Sequence, residues 1–273
     1  ERYLNIAHEY LDAYPDINEP FKTLFPIESV YYQPPSSNIN EVKSGRIWTI
    51  EGYTKTDVFH SPGTRNQSTI LKLMDGSLII FNPISFSNEN IISINQMGDV
   101  RALISTATSH SSGIRYAHDI WPDAELYGSR YPKQYSFNCK EIHSKEGIAK
   151  NLLFDELITI SHIGNSLNET VIYDPATKTL IGPTDTVIRN PLSLPKKTLN
   201  DVCLSLRLGF FRGNTITEYL CPNRVIANTI IHAANIDFLN WVYDLDVDTI
   251  ILAHGGIVKT STEEFLKPKF NWL

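Results

Sequence analysis

The stretch Leu157–Val187, LITISHIGNSLNETVIYDPATKTLIGPTDTV, decides the fold. Leu157–Ile160 is a short apolar run that ends in Ser161-His162, and its β-branched content reads as a strand. A small-polar turn over 163–168 leads into a second strand, Glu169–Tyr173. A third, Thr179–Ile181, stops just short of Asp185. One imidazole and one carboxylate, both ligands for a divalent metal, are thus delivered at or just past strand ends.

Two further histidines share that placement. His110 lies in the loop TATSHSSG (106–113) past the strand Val100–Ser105, and His254 closes the strand Val247–Ala253. Ligands in α/β proteins gather beyond the carboxyl ends of strands. Gly113, Gly164, Gly182, Gly255 and Gly256 stand beside the four candidates and leave space there. Three imidazoles and a carboxylate suit one divalent transition metal: zinc, iron or manganese. Taken singly, a histidine at a strand end is more often a hydrogen-bonded structural residue, and Asp185 reads equally as a turn residue or helix cap. From spacing alone, the set of four reads equally as a metal site and as separate structural residues.

The rest of the chain supplies the scaffold. Residues 1–14 carry Leu4, Ala7, Tyr10, Leu11 and Tyr14 on one helical face, followed by a loop broken by Pro15, Pro20 and Pro26. Residues 1–44 read as an extension packed on a main domain over 45–273. Arg46–Glu51 and Tyr53–Phe59 alternate as strands do. Ser68–Met74 and Ser77–Phe81 form a hairpin whose Asp75-Gly76 suits a two-residue type I′ turn. Residues 87–98 form a helix with a Ser cap and a Gly stop. A short helix follows over Ile114–Ile120, then a strand over Ala124–Tyr127. Residues 129–150 show no clear pattern. Helices are expected over 199–211 and 224–244, and Val247–Ala253 is expected to be the last strand.

Composition narrows the function. With 273 residues and 42% apolar content, the chain can bury a substantial core. A formal charge of −6 without a Lys/Arg block argues against nucleic acid and anionic membranes as partners. No apolar run nears the roughly 18 residues of a membrane span. Cys139, Cys203 and Cys221 are widely spaced and odd in number, as in a protein of the reducing cytoplasm. No G-x-S-x-G, P-loop or G-x-G-x-x-G is present, so the expected partner is a small-molecule substrate handled by other chemistry.

The runs ITISHIGNS and TVIYDPATKTLIGPTDTV, with TIILAHGG at 249–256, resemble the metallo-β-lactamase fold superfamily. STILKLMDGSLIIFNPI followed by MGDVRALISTATSH resembles its opening hairpin, helix and strand. Thr64-Arg65-Asn66, Asp75-Gly76, Asn82-Pro83 and WPDAELY (121–127) resemble a poorly characterised branch, the DUF4336-type proteins. The resemblance covers roughly residues 45–260. It implies an α/β fold, a four-layer αββα sandwich, with a metal site at one sheet edge. It also implies metal-dependent hydrolysis of a small ester, lactone, amide or phosphoester. His110 and His162 would come from the first metal position, Asp185 from the bridging carboxylate, and His254 from the second position. The superfamily hallmark H-x-H-x-D-H reads here as Thr108-x-His110-x-Ser112-Gly113, so the usual acid is replaced by Ser112 and the last histidine by Gly113. A reduced, single-metal site follows, with His118 as candidate proton shuttle and Arg65 as candidate substrate-anion group or structural ion-pair partner. Two other readings stay open: a metal-free, non-catalytic binding protein, and an iron-dependent oxidoreductase using the same ligands.

Overall fold

The computed structural model describes residues 31–32, 38–54, 65–107, 112–128, 140–141, 150–162, 169–182, 187–188, 215–216, 244–253, 256–259 and 261. The expected helices over 1–14, 199–211 and 224–244 lie outside the described residues.

Eight strands make the first sheet: β1 (Tyr31–Tyr32), β2 (Asn40–Lys43), β3 (Ile47–Thr54), β4 (Arg65–Lys72), β5 (Leu78–Phe81), β6 (Val100–Ser105), β7 (Glu125–Gly128) and β8 (Lys140–Glu141). Their order is β1-β3-β4-β5-β6-β7-β8, with β2 also paired to β3. The second sheet begins with β9 (Lys150–Leu153), β10 (Leu157–His162), β11 (Glu169–Asp174) and β12 (Thr179–Ile181). β13 (Val187–Ile188) and β14 (Thr215–Ile216) pair as a separate ribbon. β15 (Thr249–Leu252) and β16 (Gly256–Lys259) return to the second sheet, giving the order β16-β15-β12-β11-β10-β9. Both sheets are mixed. β5 to β8 run parallel in the first, and β12 and β15 run parallel in the second.

Period-two alternation sorts the side chains into layers. Ile47, Leu71, Ile79, Phe81, Ala102 and Ile104 pack against Leu157, Ile172, Ile181 and Ile251 to form the core between the sheets. The alternate residues Ile50, Ile70, Leu78, Ile80, Leu103 and Leu126 face outward. They are covered by α1 (Asn88–Met97) through Ile94 and by α2 (Ser112–Ile120) through Ile114 and Ala117. On the second sheet the outward residues Val171, Leu180, Ile250 and Leu252 are buried too, so that face is also covered.

α1 forms where its caps dictate. Ser87, in extended conformation, accepts from the Asn90 amide through its side chain at 3.3 Å, and Gly98 closes the helix. Ile94 is buried and Ile92 is exposed, as the helical period requires. Ser87→Ala is expected to cost about 1 kcal/mol, read as a lowered urea midpoint at unchanged slope.

Three expectations need correction. The hairpin between β4 and β5 does not use a two-residue type I′ turn. Leu73 N donates to Ser77 O and Gly76 N to Leu73 O, so the loop is the three residues Met74-Asp75-Gly76. Only Gly76 there has positive φ (88°), whereas type I′ needs it at both central positions. Arg46–Glu51 and Tyr53–Phe59 are not two strands up to Thr54, because β3 runs unbroken through Gly52 with continuous pairing to β4. The strand ending near His254 is not the last, since β16 folds back on β15 with Leu252 opposite Gly256.

Candidate metal centre

One edge of the sandwich collects the strand ends that matter. Thr106, the residue after β6, accepts from Thr170 N at 2.7 Å, which ties the end of β6 to the start of β11. A Cβ added to Gly182, just past β12, would lie 3.1 Å from the Thr106 methyl. Gly182 N donates to Ile251 O on β15 at 3.1 Å. Gln67, near the start of β4, crosses between the sheets and donates from Nε2 to Leu252 O at 3.3 Å. Asn82, just past β5, accepts at Oδ1 from both Thr106 N and Thr106 Oγ1 at 2.9 Å. So β5, β6, β12 and β15 end, and β4 and β11 begin, around Thr106.

Of the candidate ligands, His162 is in a described strand at this edge. His162 is the last residue of β10 and pairs with Glu169, next to Thr170. In sequence, His110 lies four residues past Thr106, Asp185 three past Gly182 and His254 two past Leu252. His110, Asp185 and His254, and the His162 side chain, lie outside the described residues. Among the described residues no group of three or more His, Cys, Asp or Glu is placed to hold a metal. By donor chemistry alone, three imidazoles and one carboxylate fit a single transition metal.

The layer between the sheets changes character toward this edge. Ile47 and Leu71 lie deep in it, whereas Thr49, Thr69, Gln67 and Thr170 are buried polar residues nearer the strand ends. Such residues are retained where they are hydrogen-bonded, and Gln67 meets that condition by bridging to Leu252. Asn82 holds its position with φ 48°, a conformation Asn adopts more readily than most residues. Sequence reasoning passed over Asn82, Thr106 and Gln67 as site-building residues; the Asn-Pro dipeptide was the one local signal for the first.

Arg65 opens β4 at the same edge, in register with Tyr53, and its side chain lies outside the described residues. His118 lies in the last turn of α2. α2 starts at the candidate edge and runs back along the sheet toward Glu125, which pairs with Ala102 in the early part of β6. His118 is six residues past Ser112, about 9 Å along the helix axis at 1.5 Å per residue. It is half-buried. Packing requires glycine at 113: a Cβ there would stand 1.8 Å from Pro83 O and 2.7 Å from Pro83 C. No side chain fits, least of all an imidazole.

No family model matches the chain, and no curated protein matches it by sequence. Solved structures do match. A metallo-β-lactamase from Hirschia baltica aligns at 13% identity over 85% of this chain and 94% of that one, with a TM-score of 0.54. A metallo-β-lactamase from Pontibacter korlensis aligns at 12% identity over 84% and 96%, also at 0.54. A mutant flavo di-iron protein from Thermotoga maritima aligns at 14% identity over 85% of this chain and 61% of that one, with a TM-score of 0.53. The chain therefore has the metallo-β-lactamase fold, the αββα sandwich, and the edge around Thr106 is where its strand ends converge. No helix among the described residues is long and apolar enough to cross a membrane.

Proposed function

We propose that the chain is a metal-dependent hydrolase of a small ester, lactone, amide or phosphoester. One divalent zinc, iron or manganese would be held by His110, His162, Asp185 and His254. The observation that carries this reading is the convergence of β6, β10, β12 and β15 on one edge through Thr106, Thr170, Gly182 and Leu252. A metal bound there would lower the pKa of water toward roughly 7 and polarise the substrate's carbonyl or phosphoryl oxygen. The four side chains would hold and orient that ion. Arg65, entering β4 at the same edge, is suited to binding a substrate anion. His118, on α2, is the candidate proton shuttle. The DUF4336-type branch fits the motifs at Asp75-Gly76, Asn82-Pro83 and 121–127, and three widely spaced cysteines fit a cytoplasmic, reducing setting.

The test is metal content. Purified protein is expected to carry about one equivalent of transition metal by mass spectrometry, and His162→Ala and Asp185→Ala are each expected to lose it. Protein that carries no metal, and whose thermal midpoint ignores added Zn²⁺ or Fe²⁺, would leave the non-catalytic binding protein as the reading. Iron with a dioxygen-sensitive visible spectrum would favour the oxidoreductase.

A further inference from the structure

The Met74-Asp75-Gly76 loop between β4 and β5 carries a reactive dipeptide that its own geometry imposes. Gly76 has φ 88°, a left-handed conformation that favours glycine. The Asp75 carboxylate folds onto the chain two residues ahead, where Oδ1 accepts from Ser77 N at 2.9 Å and from Ser77 Oγ at 2.6 Å. These two preferences set a carboxyl group next to an amide that no side chain shields. The folded loop occupies both groups. Gly76 N donates to Leu73 O at 3.0 Å. Asp75 Oδ2 accepts from Arg101 Nη1 at 3.1 Å. The hydrogen bonds to Asp75, those of Ser77 first, hold its carboxyl below the ordinary value and so in the ionised form, which is the poorer electrophile. Burial adds no protection, because the Asp75 side chain is 55% exposed.

The loop is also braced on two sides. A Cβ built on Gly98 would lie 2.4 Å from Gly76 O, so the loop rests against the end of α1. Met74 N donates to Glu156 Oε1 at 2.9 Å, and Glu156 accepts from Arg46 at 2.9 Å. A backbone lengthened by one methylene at Asp75 does not fit between those contacts.

We propose that Asp75 is a site of spontaneous isomerisation to isoaspartate, and that Ser77 and Arg101 keep that reaction slow in the folded chain. In the step, Gly76 N bonds to Asp75 Cγ. A carboxyl oxygen leaves as water, with the acid proton and the amide proton, and a five-membered succinimide forms. Water then adds to the main-chain carbonyl carbon of Asp75. The bond from that carbon to Gly76 N breaks, and the nitrogen regains a proton. The chain now runs through Cβ and Cγ, and the former main-chain carbonyl has become a free carboxyl group. One water leaves and one enters, so no metal and no other reactant is needed.

The test follows isoaspartate in the peptide that holds Asp75, by enzymatic methylation and mass spectrometry. The full chain is incubated at neutral pH, either folded or unfolded in guanidinium chloride. Wild type is expected to isomerise about tenfold or more slowly when folded, because the reaction then waits on local opening of the loop. Ser77→Ala, shown to be folded by circular dichroism, is expected to react several-fold faster than folded wild type, whereas the two chains should match when unfolded. Arg101→Gln, which leaves both Ser77 bonds in place, is expected to show a smaller rise. Equal rates in folded and unfolded wild type overturn the inference, as does an unfolded chain that forms no isoaspartate at Asp75. Folded variants that react no faster than wild type overturn the guarding role of Ser77 and Arg101.

Discussion

Arg46→Ala is expected to lower the unfolding free energy by about 3–5 kcal/mol, the range for removing one partner of a buried ion pair. The Arg46 guanidinium grips Asp174 with two parallel hydrogen bonds of 2.9 Å, from Nε to Oδ2 and from Nη2 to Oδ1. Nη2 also donates to Glu156 at 2.9 Å, and Nη1 to Lys72 O at 3.1 Å. Arg46 precedes β3, Lys72 ends β4, Asp174 ends β11 and Glu156 precedes β10. One side chain therefore clamps both sheets together at the edge opposite the candidate metal centre. The Asp174 side chain is 0% exposed, so its charge without Arg46 would be stranded. Lysine cannot form the two-pronged contact, so Arg46→Lys is expected to recover only part of the loss.

The clamp also fixes a pH dependence. Burial, the largest influence on Asp174, pushes its carboxyl up, but the hydrogen bonds from Arg46, Thr177 and Ala176 outweigh it and hold the group below its ordinary value. A carboxyl with a depressed folded-state pKa stabilises the fold above its unfolded pKa, and that stability is lost as pH falls through the folded value. The difference between wild type and Asp174→Asn in urea midpoint is therefore expected to be full at pH 7 and to shrink below about pH 4. Equal midpoints at pH 7 would show that the pair contributes nothing net. Arg46→Met with Asp174→Leu is expected to restore stability incompletely, because Lys72 O loses its donor and Thr177 and Ala176 lose their acceptor.

Where the sequence was legible, the signal was local. Val100–Ser105 and Thr179–Ile181 have the bounds their apolar runs suggest, and α1 lies between the Ser and Gly that cap it. The hairpin was legible but its turn was not. Asp-Gly serves both a two-residue turn and a three-residue loop, and the hydrogen bonds of Leu73 decide between them. β16 is a four-residue edge strand without a buried face, so GIVK after His254-Gly255 gave no periodic signal. The clamp was invisible because Arg46 and Asp174 are 128 positions apart and each reads alone as a strand-end charge. The candidate centre was half legible. Each ligand's place at a strand end is a property of a few neighbouring residues. That those ends share one edge depends on β12 pairing with β15 across nearly seventy residues and on Thr106 joining the two sheets.

Gly113→Ala is expected to destabilise the protein by about 3 kcal/mol, the upper end of overpacking losses. In an ordinary helix the same change would stabilise by up to about 1 kcal/mol. The sign reverses because the added Cβ would sit 1.8 Å from Pro83 O and 3.3 Å from Ile84 N, where no side chain can rotate away and only backbone remains to move. That backbone is held. Asn82 N donates to Ile104 O at 2.7 Å, and its side chain is fixed by Thr106, so a shift at Pro83 would pull on the residue that joins the sheets. Gly113→Ala is therefore expected to lower the thermal midpoint and to weaken metal retention together, whereas Ser87→Ala should lower the midpoint and leave the metal in place. Midpoints that rise in Gly113→Ala would show that α2 stands off from Pro83. The same contact bears on the missing histidine of the hallmark loop. Gly113→His adds an imidazole where a methyl does not fit, so it is expected to give less folded protein and no second equivalent of metal. The packing of α2 on Pro83 leaves no room for a side chain at position 113, so the proposed site can gain no ligand there by a single substitution.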